Sequence, residues 1–219
     1  TESFGEHTAD AYGAYAVRGF LDNGGTKAYV TRIVPKSGDD LAKSAKLTLK
    51  EAEGAEPKDA LTVSAGYKGL DFPGIWGNKL AVQVKKEPAD SATYDLIVQY
   101  DGNPVETWHG LDNAGTAGND PEKVINHNLE GSQYIKVKKG TPNPVATEAF
   151  VPLVDGTDGI FSDDSLATDA KNALGLFDIY QVQLVCCPET HHETWADGAL
   201  TYCTKRGDCI FVGQTPFGD

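Results

Sequence analysis

AYAVRGFLDNGGTKAYVTRIV, residues 14–34, reads as three units in succession: an amphipathic helix, a double-glycine stop and a strand. Tyr12, Tyr15, Ala16, Gly19 and Phe20 recur at helical spacing, which predicts a helix with one face able to bury. Gly24 and Gly25 follow, where the left-handed backbone of a helix stop is expected. Ala28, Val30 and Ile33 then open a segment rich in β-branched residues, the composition of a strand.

Downstream the pattern changes twice. From about Ser44 to Lys138 short strands are predicted at Lys46–Leu49, Leu61–Ala65, Lys79–Lys85, Tyr94–Gln99, Val105–Trp108 and Gln133–Val137. Asp, Gly and Pro clusters separate them, and a short helix is expected over Pro121–Asn128 with Pro at an early position. Strands at this spacing suggest a β-barrel or sandwich. After Pro142 and Pro144 the alternation of helix and strand returns. Leu166, Ala170, Ala173, Leu174 and Phe177 mark a helical face, and Val182–Cys187 reads as a strand buried on both faces. Thr190 and Glu193 have capping-box spacing before a helix with Ala196, Ala199, Leu200 and Cys203 on one side, and Cys209–Val212 reads as a last strand. The expected architecture is α/β: a discontinuous core domain of residues 1–44 and 140–219, its strands in one sheet, interrupted by an inserted all-β barrel or sandwich over 45–139.

The chain has 219 residues, 40% apolar and 23% charged, enough for a folded core. Its formal charge of −13 argues against a nucleic-acid surface, which needs a basic stripe to meet phosphates. No run of apolar residues is long enough for a transmembrane helix, and Thr1–Asp10 lacks the apolar centre of a signal peptide. The absent initiator Met suggests a piece of a longer product.

The four cysteines, Cys186, Cys187, Cys203 and Cys209, crowd the C-terminal end instead of spreading as a disulfide framework would, so reduced, mostly buried thiols are expected. With His191 and His192 they could in principle hold zinc. Against that, there is no C-x-x-C pair, Cys186 and Cys187 as strand neighbours point to opposite faces, and the adjacent histidines diverge by roughly 100° on a helix. A Cys–His nucleophile would need a thiol lowered in pKa beside an imidazole. Gly24 and Gly25 come after a helix and before a strand, the reverse of a phosphate-binding loop. Asp155-Gly-Thr-Asp158-Gly departs from EF-hand spacing and has Leu166 at position twelve, so it reads as a turn leading to a helix cap at Asp164 or Ser165. Arg206-Gly207-Asp208 reads as a tight turn from helix to strand. Trp76, Trp108 and Trp195 are scattered, and Trp76, between Gly74 and Gly77, is expected to anchor a turn. No catalytic, cofactor or metal site is assigned.

Several passages resemble the contractile phage tail-sheath family. Phe20-Leu-Asp-Asn-Gly-Gly25 and Ala28-Tyr-Val-Thr-Arg-Ile33 are similar to its helix-to-strand passage. Leu61-Thr-Val-Ser-Ala65, Pro73-Gly-Ile-Trp-Gly-Asn78 and Leu80-Ala-Val-Gln-Val84 follow in the family's order. So do Ser132-Gln-Tyr-Ile-Lys-Val137, Leu153-Val-Asp-Gly-Thr-Asp-Gly159, Leu184-Val-Cys-Cys-Pro-Glu189 and Arg206-Gly-Asp-Cys-Ile-Phe211. Asp155 and Gly156 stand where the family usually has two glycines. The resemblance implies a virion protein without catalysis. Its copies would self-assemble as hexameric rings around a tail tube, in the host bacterial cytoplasm, and contract to drive the tube through the host envelope. It also implies a further C-terminal tube-gripping domain and terminal arms, which lie outside this sequence. Arg18 and Arg32 are candidate ring contacts. Two alternatives remain: a cysteine-dependent α/β enzyme with a β insertion, and a β-rich module that binds a host surface.

Overall fold

The computed structural model describes residues 12–35, 40–51, 57–86, 88 and 92–215. The expectations that fall on Thr1–Asp10 lie outside these. The chain divides into two units, residues 41–159 and residues 1–40 with 160–219.

The first unit is built from alternation. In β4 (Leu80–Lys85) Leu80, Val82 and Val84 are buried, and in β5 (Tyr94–Tyr100) Tyr94, Leu96 and Val98 are. Period-2 spacing puts each set on one face, and antiparallel pairing sets Val82 against Val98 and Val84 against Leu96. β6 (Asn103–Leu111) joins β5 through Asp101-Gly102, both at positive φ, the backbone of a two-residue hairpin turn. β8 (Val151–Pro152) completes a four-stranded sheet of order β6-β5-β4-β8. The second sheet centres on β2 (Asp59–Tyr67), flanked by β1 (Lys46–Lys50), β3 (Leu70–Asp71) and β7 (Ile135–Lys139). Leu61, Val63, Ile135 and Val137 of this sheet join Leu80, Val82, Leu96 and Val98 of the other in one buried cluster. The two sheets therefore face each other as a sandwich, and among the described residues no closed barrel forms.

Past β8 the chain changes sheets. Val154 exchanges two backbone hydrogen bonds with Lys46 (2.8 and 3.0 Å), and Thr157 two with Lys43 (2.9 and 3.0 Å). This pairing moves the expected boundaries. The edges placed at 44/45 and 139/140 fall instead at 40/41 and 159/160, because residues 140–159 pair with strands of the sandwich. The short helix α2 (Pro121–Ile125) also differs: Asp120 caps it as its carboxylate accepts from the Glu122 N–H (3.0 Å), but it ends at Ile125 instead of Asn128. The Asn126 side chain turns to β7, donating to the Val137 carbonyl (2.8 Å) and accepting from its N–H (2.9 Å).

The second unit holds α1 (Gly13–Asp22), α3 (Asp163–Ala173), α4 (Glu193–Arg206) and a parallel pair of two-residue strands, β9 (Leu184–Val185) and β10 (Ile210–Phe211). Among the described residues its buried cluster comprises Ala167, Ala170, Leu174, Val185, Trp195, Ala199 and Cys203, against sixteen in the sandwich. Several expectations fail here. No residue of α1 is buried. The expected strand from Ala28 to Ile33 does not form among the described residues; Tyr29 stacks on Tyr180 (4.5 Å between ring centroids) and Ile33 packs against the helical cluster. Among the described residues no common sheet unites these segments, and β9 is buried only at Val185, with Leu184 56% exposed.

Local chemistry also relocates three turns. Gly24 is left-handed (φ 92°), whereas a side chain at Gly25 would strike the Phe20 ring at 2.3 Å, so the second glycine serves close approach. α3 is capped by Ser162, not Asp164 or Ser165, in a reciprocal pair with Ser165 (3.0 and 3.3 Å). α4 is capped by His192, not Thr190, whose hydroxyl accepts from the His192 N–H (3.1 Å). Ser162→Ala is expected to cost about 1 kcal/mol. Faster amide hydrogen exchange in the first turn of α3, with exchange in the sandwich unchanged, is the reading that checks it.

Candidate functional site

Of the cysteine and histidine cluster only Cys203 lies within α4, with His192 at its N-cap; Cys186, Cys187, His191 and Cys209 lie outside the helix. The His192 ring is used at both nitrogens: Nδ1 accepts from the Thr194 N–H (3.2 Å), so Nε2 carries the proton and faces Asp164 Oδ1 at 2.9 Å. His191 and Cys186 are exposed. Among the described residues no three His, Cys, Asp or Glu side chains stand together as a metal shell would. Desolvation pushes the Cys186 and Cys187 thiols up, and burial takes Cys203 to about 11. A catalytic cysteine, ionised at neutral pH, needs the opposite shift. The structure does bring Cys203 and Cys209 together, with the sulfurs 3.4 Å apart.

The two acidic turns are explained by their own hydrogen bonds. Asn78 clasps Gly156 through its carbonyl and N–H (2.9 and 2.8 Å), and Asp158 accepts from the Ile75 N–H (3.1 Å). The Asp155 turn is thereby fastened to a short 3-10 helix over Ile75–Lys79, which contains Trp76. In the Arg206-Gly207-Asp208 turn, left-handed Gly207 ends α4, while Arg206 grips both carboxylate oxygens of Asp208 (2.8 Å each). Arg206 also donates to the Phe177 and Tyr180 carbonyls (3.0 Å each), so the guanidinium ties the segment after α3 to the end of α4.

Two surface features were not visible in the linear sequence. Phe72, Trp76, Tyr100 and Tyr134 form a row of rings on the sandwich, with successive centroids 5.8, 6.2 and 5.8 Å apart. They come from three separate segments, so no local motif announces them. The other is the apolar surface of the helical unit. Tyr12, Tyr15, Phe20 and Leu21 of the α1 region are exposed, and so are Leu176, Ile179, Ile210 and Val212, with Ile179 at 83%. Scattered single apolar residues are ordinary; here they are many among the described residues of one unit. Arg18, one of the expected ring contacts, is exposed and lies 3.5 Å from Asp22 one helical turn away; Arg32 is exposed. No helix among the described residues is long and apolar enough to cross a membrane.

The sequence matches no protein-family model and no curated protein. Solved structures do match. A sheath tail protein from Listeria innocua superposes with a TM-score of 0.51 at 15% identity, covering 77% of this chain and 32% of its own. A sheath tail protein from Desulfitobacterium hafniense gives a TM-score of 0.43 at 19% identity, covering 76% of this chain and 34% of its own. This chain thus spans about a third of the length of either protein. Its mixed α/β fold, a β-sandwich between two stretches of helical chain, is similar to that of the Listeria sheath tail protein.

Proposed function

We propose that this chain is part of a structural subunit of a contractile tail sheath. Copies of the complete subunit assemble as hexameric rings around a tail tube, and contraction of the lattice drives the tube through the host envelope. The observation that carries the reading is the fold similarity to a sheath tail protein over 77% of the chain. The exposed apolar residues of the helical unit support it, because a lattice protein leaves uncovered the faces its neighbours will cover. In this reading residues 1–44 and 140–219 belong to the discontinuous sheath core, shifted to the boundaries at 40/41 and 159/160, and the sandwich is the insertion. Assembly takes place in the host bacterial cytoplasm and the mature location is the virion. Subunit and tube contacts are protein–protein, with no nucleic-acid or membrane partner and no catalysis or cofactor.

The test is to express the complete product of the encoding gene and image it by negative-stain electron microscopy. Tubes or stacked six-fold rings are the expected result. Dispersed particles from a folded preparation would overturn the reading. A second reading, a host-surface binding module, is favoured only by the row of rings at Phe72, Trp76, Tyr100 and Tyr134. Binding of the dispersed protein to host cells, lost in Trp76→Ala, would select it.

A further inference from the structure

We propose that Cys203 and Cys209 form an intrachain disulfide when the folded protein meets a small-molecule disulfide such as oxidised glutathione. The inference goes beyond the sheath reading and does not depend on it. Cys203 lies in the last turn of α4 and is 8% exposed; Cys209 stands just before β10 and is half-buried. Left-handed Gly207 reverses the chain between them, and the Arg206–Asp208 pair braces the turn. The result is a thiol–thiol contact in which Cys209 donates to the Cys203 sulfur at 3.4 Å. Closing to a bond of about 2.05 Å asks the sulfurs to approach by about 1.4 Å, within the reach of small side-chain rotations.

Access assigns the order of events. The Cys209 thiolate attacks one sulfur of glutathione disulfide, forming a mixed disulfide and releasing one glutathione thiolate, which takes up a proton. The Cys203 thiol then gives its proton to water and attacks the Cys209 sulfur, expelling the second glutathione. Across both steps the two protein thiols lose two electrons and two protons, and one glutathione disulfide becomes two glutathione thiols. The bond would tie the end of α4 to β10, a strand held to β9 through only two residue pairs.

The experiment treats the native full chain with oxidised glutathione without air, alkylates the remaining thiols and maps tryptic peptides by mass spectrometry. Trypsin cuts after Lys171, Lys205 and Arg206, so Cys186, Cys187 and Cys203 share one peptide, and fragmentation between Cys187 and Cys203 shows which of them is joined to the peptide beginning at Gly207. The 203–209 link is expected at about tenfold or greater excess over any other pairing, because touching thiols have a high effective concentration. Cys203→Ser should instead stop at a glutathione adduct on Cys209. In denaturant, where the contact is absent, the preference for 203–209 should fall. Glutathione retained on native wild-type Cys209 without ring closure, four thiols left free, or preferred pairing through Cys186 or Cys187 would each overturn the proposal.

Discussion

Asn113→Ala is expected to destabilise the sandwich by about 3 kcal/mol, the largest single-residue effect anticipated here. Asn113 is 2% exposed and sits where four segments meet. Its side-chain carbonyl accepts from the Tyr94 hydroxyl (2.8 Å), and its amide donates to the carbonyls of Ala60 (2.6 Å) and Pro142 (3.0 Å). Its backbone N–H donates to Asn143 Oδ1 (2.7 Å). Alanine would strand the buried Tyr94 hydroxyl and the Pro142 carbonyl, whereas the Ala60 carbonyl keeps its bond from the Gly140 N–H (2.7 Å). Burial pushes the Tyr94 phenol up, so it has no ionised form to fall back on. Tyr94→Phe removes the donor alone and should cost about 1 kcal/mol. Hydrogen exchange at β2 and β5 amides separates these losses from the stability of the helical unit. Equal exchange in Asn113→Ala and wild type would show that the hub carries no energy.

The neighbouring residue predicts a pH dependence. Asp112 is 4% exposed, and its carboxylate accepts from the N–H groups of Ala117 (2.9 Å), Thr116 (2.8 Å) and Ala114 (3.1 Å) and from Asn143 (3.2 Å). These bonds, led by that from Ala117 and against the opposing push of burial, lower its pKa from 3.8 to about 2. A carboxyl depressed on folding contributes stability above its unfolded value and loses it as pH falls through its folded one. The contribution is therefore complete above about pH 4 and is lost progressively towards about pH 2, at roughly 2 kcal/mol. Asp112→Asn should lose about that much at neutral pH and flatten the acid limb of the stability curve. Asp120 is also drawn down, by Lys139 against the push of burial, so the difference between variant and wild type is the quantity to follow. A parallel offset at every pH would mean that Asp112 serves through packing and not through charge.

Neither residue drew notice in the linear sequence, and the reason is physical. Strands announce themselves when one face is buried and the other wet, as in β4 and β5, whose alternation is strict. The hub residues lie in a polar, glycine-rich loop, where composition signals a turn but not which carbonyls an amide will meet 29 or 53 residues away. Val182–Cys187 shows the opposite failure. A continuous apolar run signals burial, yet what buries a strand is its neighbours, and here β9 has one short partner among the described residues. The passage from Ala28 to Ile33 has strand composition without a strand to pair with among the described residues. The cysteines were legible as a group, but the contact of Cys203 with Cys209 depends on the reversal at Gly207.

The pairing of Lys43 with Thr157 and Lys46 with Val154 has a topological consequence. The chain enters the sandwich and leaves it at adjacent points, clasped by backbone hydrogen bonds. Seen from residues 40 and 160, where the Ile160 N–H donates to the Asp40 carbonyl (3.0 Å), the whole sandwich is a short loop. Closing a long unstructured excursion costs entropy that grows with its length; once the clasp has formed, that loss has already been met inside the sandwich. Additions and deletions within it can then accumulate without stretching the chain that carries it, which is the condition under which one segment of a gene drifts freely while its flanks stay in place.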